Sequence, residues 1–187
     1  MDPGGGRGGG RGLPYVVVMG VAGTGKSTVA RLLAERLGVP FADGDDFHRP
    51  DSIARMAAGV PLDDERRQPW LRAIGEWLGE REAAGSGGVV TCSALKRSYR
   101  DTLREGGRDP FFLHLTGGRA LLAERIGGRR GHFMPESLLD SQLAVLEPLG
   151  ADERGAALDV APAPGRLVDA ALGLLGGPGG VTPDPPD

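Results

Sequence analysis

The sequence predicts an α/β fold in three layers, a five-stranded parallel sheet with helices on both faces. Three observations carry this. Short apolar runs, several of them β-branched, alternate along the chain with longer segments of helical periodicity. The first such run opens directly into a glycine-rich loop and then a helix. A length of 187 residues suits one domain with a sizeable core.

Tyr15–Met19 is the first strand, ending at Gly20, and Ser27–Leu37 is a helix with Val29, Ala30, Leu32, Leu33 and Leu37 at helical spacing. Gly38 suits its C-terminus. Val39–Ala42 predicts a second strand that runs into the acidic stretch Asp43-Gly44-Asp45-Asp46, and Asp51 or Ser52 caps a helix through Ala58. Glu65–Ala84 predicts a long helix with Trp70, Leu71, Ile74, Trp77 and Leu78 on one side. Gly87–Thr91 is the third strand, Tyr99–Arg104 a helix, Phe111–Leu115 the fourth strand and Arg119–Ile126 a helix. Glycines, arginines and a proline break the helical pattern over Gly127–Pro135, which predicts a mobile lid before Glu136–Leu146 resumes it. Ala157–Val160 supplies a fifth strand and Arg166–Leu175 a closing helix.

Glycine and proline concentrate at the two ends. Residues 1–12 hold seven Gly, and residues 176–187 hold four Gly and four Pro, so both read as flexible tails around a folded unit of residues 13–175. A net charge of −3 argues against a broad nucleic-acid-binding surface. No apolar run approaches the ~20 residues of a membrane span, and the start lacks the apolar segment of a secretory signal. The expectation is a cytoplasmic protein with no nucleic-acid or membrane partner. Cys92, the single cysteine, has no partner for an internal disulfide and reads as a small buried residue at a strand end. Among 22 Lys and Arg residues only Lys26 and Lys96 are lysines, which marks both as candidates for specific chemistry.

Gly20-Val21-Ala22-Gly23-Thr24-Gly25-Lys26-Ser27 fits G-x-x-x-x-G-K-[ST] in full. The flanking strand and helix are the setting such a loop requires: glycines let backbone N–H groups turn inward, and the helix N-terminus adds a positive dipole. Lys26 is expected to reach the β- and γ-phosphates of a nucleotide and Ser27 to ligate Mg²⁺, with Thr28 next in the phosphate-binding run. Asp43 and Asp45, two residues apart after the second strand, project to one side if both continue its alternation. One then serves the metal through water while the other faces an acceptor hydroxyl. At the end of the third strand, Lys96, Arg97 and Arg100 gather basic groups suited to an anionic acceptor. In the lid region Arg125, Arg129 and Arg130 are expected to fold over the phosphates, with His48 and His132 flanking. His114, inside the fourth strand, reads as structural.

These residues resemble the gluconate kinases, a family of phosphate-loop (P-loop) small-molecule kinases related to shikimate kinase. The resemblance spans about Tyr15–Val160 and rests on GVAGTGKS, on DGDDFH at Asp43–His48, on GVPLDDERRQPWL within Met56–Leu71, on CSALKRSYRDTLREG at Cys92–Gly106 and on RRGHFMPESLLDSQLAVLEPL at Arg129–Leu149. It implies transfer of phosphate from ATP, with Mg²⁺, to D-gluconate, giving 6-phospho-D-gluconate. It places Asp45 at the acceptor and Asp43 beside the metal. Lys26, Asp45 and Arg129 become the catalytic set, Gly20 to Thr28 with Arg125 and Arg129 the nucleotide set, and Asp45, His48, Arg55, Lys96, Arg97, Arg100 and His132 the acceptor set. Where the family usually shows Asn and Lys after the histidine, this chain has Ser52 and Arg55, and the D-x-D-R-like acidic stretch reads Asp64-Glu65-Arg66-Arg67; the resemblance sets these positions near the substrate. A homodimer is an expectation by analogy. The competing readings are a shikimate or nucleoside-monophosphate kinase, separated by its acceptor, and a non-catalytic nucleotide-binding regulator.

Overall fold

The computed structural model describes residues 13–176 apart from 59, 61, 107 and 129–135. Its elements are β1 (Tyr15–Met19), α1 (Lys26–Leu37), β2 (Phe41–Ala42), α2 (Pro50–Ala57), α3 (Asp64–Ala83), β3 (Gly88–Thr91), α4 (Arg97–Leu103), β4 (Phe111–Thr116), α5 (Arg119–Gly127), α6 (Glu136–Val145), β5 (Gly155–Asp159) and α7 (Pro164–Gly176), with a 3₁₀ turn at Gly44–Phe47. Among the described residues the strands form one parallel sheet in the order β2-β3-β1-β4-β5.

Strand alternation divides the core in two. Val16 and Val18 of β1, with Phe111, Leu113 and Leu115 of β4, face the layer holding Val29 and Leu33 of α1, Leu122 of α5, Leu139 of α6 and Val168 of α7. The opposite set, Val17, Met19 and Phe112, packs against Trp70, Leu71, Ile74 and Leu78 of α3 and Tyr99 and Leu103 of α4. β1 lies at the centre, and the chain winds from it first toward β2 and β3, then to β4 and β5 on its other side. This leaves a crevice at the carboxyl end of β1, where open parallel sheets bind ligands.

Element boundaries depart from the sequence reading for local reasons. β2 starts at Phe41 because Pro40 has no N–H to give the ladder, although its carbonyl accepts from Val89. α2 starts at Pro50, whose fixed φ suits the first helical position, so neither Asp51 nor Ser52 is the cap. α4 starts two residues early, at Arg97, whose N–H is taken by the Glu147 carboxylate from a distant turn. Among the described residues no helix is long and apolar enough to cross a membrane.

Candidate active site

The loop that leaves β1 turns on its glycines. Gly23 holds φ +82°, and a Cβ there would stand 2.9 Å from the Leu122 carbonyl, so only glycine lets the loop seat against α5. The buried Thr24 hydroxyl donates to the Val21 carbonyl at 2.8 Å, and Lys26 Nζ donates to the same oxygen at 3.0 Å. Gly25 precedes α1 in the left-handed conformation and leaves the first amides of the helix facing the crevice. Beside the loop lies a cleft of about 240 Å³ walled by Gly25, Thr28, Arg125, Val160, Pro162 and Pro164. Arg125 is fixed there by donating Nη2 to the Val160 carbonyl at 2.8 Å. The two prolines of this wall were not singled out in the sequence, where they read only as a connection after the fifth strand.

Next to α1, Ser27 Oγ donates to Asp43 Oδ2 at 3.0 Å. Asp43 Oδ1 accepts from Thr91 Oγ1 at 2.9 Å and from the Asp45 amide at 3.2 Å, which makes Asp43 the cap of the 3₁₀ turn. Gly44 seals this junction: its N–H donates to Thr91 Oγ1 at 2.9 Å, its carbonyl accepts from Trp70 Nε1 at 2.6 Å, and a Cβ would overlap the Thr91 carbonyl. The strand alternation expected for Asp43 and Asp45 therefore stops at Ala42. The turn separates the two carboxylates by environment, with Asp43 tied to Ser27 and Thr91 and Asp45 exposed at the crevice.

Beyond Asp45, the His48 ring stacks on Trp70 with centroids 4.5 Å apart and planes within 9°. Burial lowers the His48 pKa against the opposing pull of Asp45, and the Arg67 charge adds to the lowering. Arg67 donates Nε to the Leu62 carbonyl at 3.0 Å and lays its guanidinium over Tyr99 at 5.9 Å. Trp70 was missed as a site residue because its helix reads as a core-facing element, whereas Arg67 belongs to the Asp64-Glu65-Arg66-Arg67 stretch already marked by its departure from the family pattern. Lys96 donates to Asp64 at 2.7 Å, and the Tyr99 hydroxyl also donates to Asp64. These bonds hold the Asp64 carboxyl below its usual range and raise the Lys96 ammonium. Arg55 stands exposed on α2.

Two of the expected acceptor cations already have carboxylate partners of their own. Arg97 pairs in two-pronged fashion with Asp152, at 2.8 and 2.6 Å. Arg100 is fully buried, with Nε and Nη2 on the Glu153 carboxylate at 2.6 and 2.8 Å and further bonds to the carbonyls of Ala94, Glu147 and Pro148. Burial alone would raise the Glu153 pKa; the Arg100 bonds and the Gly150 N–H outweigh it and hold the carboxyl low. A guanidinium with its donors already committed has none to offer a ligand, which is why Arg100 leaves the acceptor set. Arg129 and His132, and the lid expected over Gly127–Pro135 beyond Gly128, lie outside the described residues. Cys92 is buried, its thiol pushed up to about 12 mainly by burial, and His114 is buried with its pKa lowered to about 4 by burial and then by the Arg100 charge.

The family model of shikimate kinase matches residues 22–131. A gluconokinase of Gluconobacter oxydans is 52% identical over 139 residues, 74% of this chain and 78% of that protein. A crystal structure of a sugar kinase from Janibacter sp. superposes with a TM-score of 0.82 at 51% identity, covering 87% of this chain and 94% of the other. That of a gluconokinase from Sinorhizobium meliloti superposes with a TM-score of 0.79 at 48% identity, covering 87% and 91%. With a phosphate loop, a Ser27–Asp43 pair and an open Asp45 on the same sheet edge, the chain belongs to the gluconokinase family of phosphate-loop kinases.

Proposed function

We propose that this chain catalyses ATP + D-gluconate → ADP + 6-phospho-D-gluconate, a phosphotransfer to an alcohol group. The observation that carries the reading is the juxtaposition of the phosphate loop with two carboxylates in different environments, in a chain 52% identical to a gluconokinase.

In this reading the loop amides and Lys26 hold the phosphates, and the cleft beside Thr28, Arg125 and Pro162 receives the nucleoside. Ser27 and Asp43 present a hydroxyl and a carboxylate oxygen 3.0 Å apart, hard donors of the kind Mg²⁺ takes, with nucleotide phosphates and water completing its shell. Bound there, the ion would neutralise charge on the phosphates. Asp45 is left to accept a hydrogen bond from the acceptor hydroxyl and take its proton as the P–O bond forms. Arg67 and His48 line the acceptor side, with Lys96 held on Asp64 at its edge, so that a sugar-acid carboxylate meets the Arg67 guanidinium and its hydroxyls meet the His48 ring. Arg129 is assigned to the transferring phosphoryl group by its place in the family motif.

The test is an acceptor panel with coupled ADP detection. D-gluconate is expected to be preferred over glucose and shikimate. Equal rates with glucose and gluconate contradict the anionic-acceptor reading, and activity on shikimate alone moves the chain to the sister activity.

A further inference from the structure

The helix after the 129–135 segment sends one side chain into the phosphate loop. Gln142 of α6 is half-buried, and its Oε1 accepts from the Ala22 amide at 2.7 Å, across 120 residues of sequence. An amide N–H only donates, so this bond also fixes which end of the carboxamide faces the loop. The other end of the same peptide unit, the Val21 carbonyl, accepts from Lys26 Nζ at 3.0 Å and from Thr24 Oγ1 at 2.8 Å. The Val21–Ala22 peptide is therefore gripped at both ends, with Gln142 on its N–H and Lys26 on its C=O. Rotation of that peptide would break the Gln142 bond and take away the oxygen that steadies the ammonium.

α6 is itself well anchored. Leu139 is fully buried, and Asp140 accepts from Arg119 of α5 at 2.6 Å. Just beyond the helix, the Glu147 N–H donates to the Leu95 carbonyl at 2.8 Å, its carboxylate takes the Arg97 N–H, and its carbonyl accepts from the buried Arg100. One continuous segment thus touches the phosphate loop at Ala22 and, five residues later, the loop that carries Lys96.

We propose that Gln142 is a positioning residue for phosphoryl transfer: by accepting the Ala22 N–H it holds the Val21–Ala22 peptide so that Val21 O aims Lys26 at the terminal phosphates, in register with the acceptor-side loop. The role rests on the kinase reading above. It requires an acceptor atom at position 142 and makes no use of the carboxamide NH₂.

Three variants separate this from packing and from direct phosphate contact. Gln142→Leu keeps the volume and loses the acceptor; kcat is expected to fall about tenfold or more, while the KM for gluconate and the thermal midpoint change little. Gln142→Glu restores an acceptor, and kcat is expected to return to within about threefold of the parent, with a raised KM for ATP because a carboxylate now stands near a polyanion. Gln142→Asn is a methylene too short and is expected to behave like the leucine variant. Wild-type turnover in Gln142→Leu overturns the proposal, and so does a Gln142→Glu variant as slow as Gln142→Leu. Titration with a non-hydrolysable ATP analogue and no acceptor is run on the same proteins. If the parent binds the analogue but phosphorylates no gluconate, the functional reading has failed; a loss of analogue affinity in both the leucine and the asparagine variants relative to the parent then still supports the Gln142 contact, and parent-like affinity in both overturns it.

Discussion

The two halves of the site are made in different ways. On the nucleotide side, eight consecutive residues carry the chemistry, and most of what they offer is backbone, held by glycines and by Thr24. On the acceptor side, single side chains arrive from the 3₁₀ turn, α3 and the loop before α4, and most of the charged ones already have partners: Lys96 with Asp64, Arg97 with Asp152, Arg100 with Glu153. A basic cluster in a sequence is not yet a basic surface. Each cation has to be followed to its own carboxylate before it counts toward a ligand.

The sharpest break of this comparison is Lys26→Ala, which removes the one charged side chain of the loop. Turnover is expected to fall by roughly 10²–10³-fold or more while the thermal midpoint stays close to that of the parent, since the ammonium serves the loop and its phosphates and is no member of the apolar core clusters. Near-normal rates would dismiss the phosphate-loop assignment. Asp45→Asn comes next, with a loss of about 10²–10⁴ in kcat and a modest change in ATP affinity, because receiving the proton is a transition-state task. If Asp43→Asn is crippled and Asp45→Asn is not, the two carboxylates exchange roles.

Arg100→Met is expected to act on the fold, costing about 3–5 kcal/mol in denaturant unfolding, because it strands the Glu153 carboxylate in the interior. A stable but acceptor-blind variant would return Arg100 to the binding set. His114 lies on the same face of the sheet and feels the Arg100 charge. Its folded pKa of about 4 lies below the ordinary histidine value, so the unfolded chain binds a proton that the folded chain refuses. The stability it contributes is complete above about pH 6.5 and is lost as pH falls toward 4, on the order of 3 kcal/mol. Unfolding curves for His114→Gln should therefore show a flatter dependence across that window, and an unchanged slope would contradict the shift. Arg97→Ala is the mildest change: an exposed pair, with stability and rate expected to stay near parent values.

How far the sequence reached follows the same division. β1 falls on the run read for it, residue for residue, and the phosphate loop needed only its own spacing to be recognised, because every group it requires lies within eight positions. The acceptor side was legible as an address and not as a geometry. The partners that claim Arg97 and Arg100 lie 53 to 55 residues away, past β4, α5 and α6, and no local pattern announces them. Separations of 50 and 120 residues likewise hide the α4 boundary, set by Glu147, and the Gln142 contact. Asp43 and Asp45 were found, but strand alternation gave the wrong relation between them. A two-residue strand ends too soon to impose its period, and the Asp43 side chain prefers to cap the turn that follows.

The distribution of lysines carries a consequence for chemical modification. The sequence has two lysines; one stands in the phosphate loop and the other on Asp64, on the side proposed for the acceptor. Every side-chain primary amine in this sequence is therefore at the site, and an acylating or aldehyde reagent that elsewhere would scatter over a protein surface becomes a site-directed label. The two amines also differ in kind. Asp64 raises the Lys96 ammonium and so makes it a weaker nucleophile, while Lys26, which donates to the Val21 carbonyl, lies where a bound nucleotide would shield it.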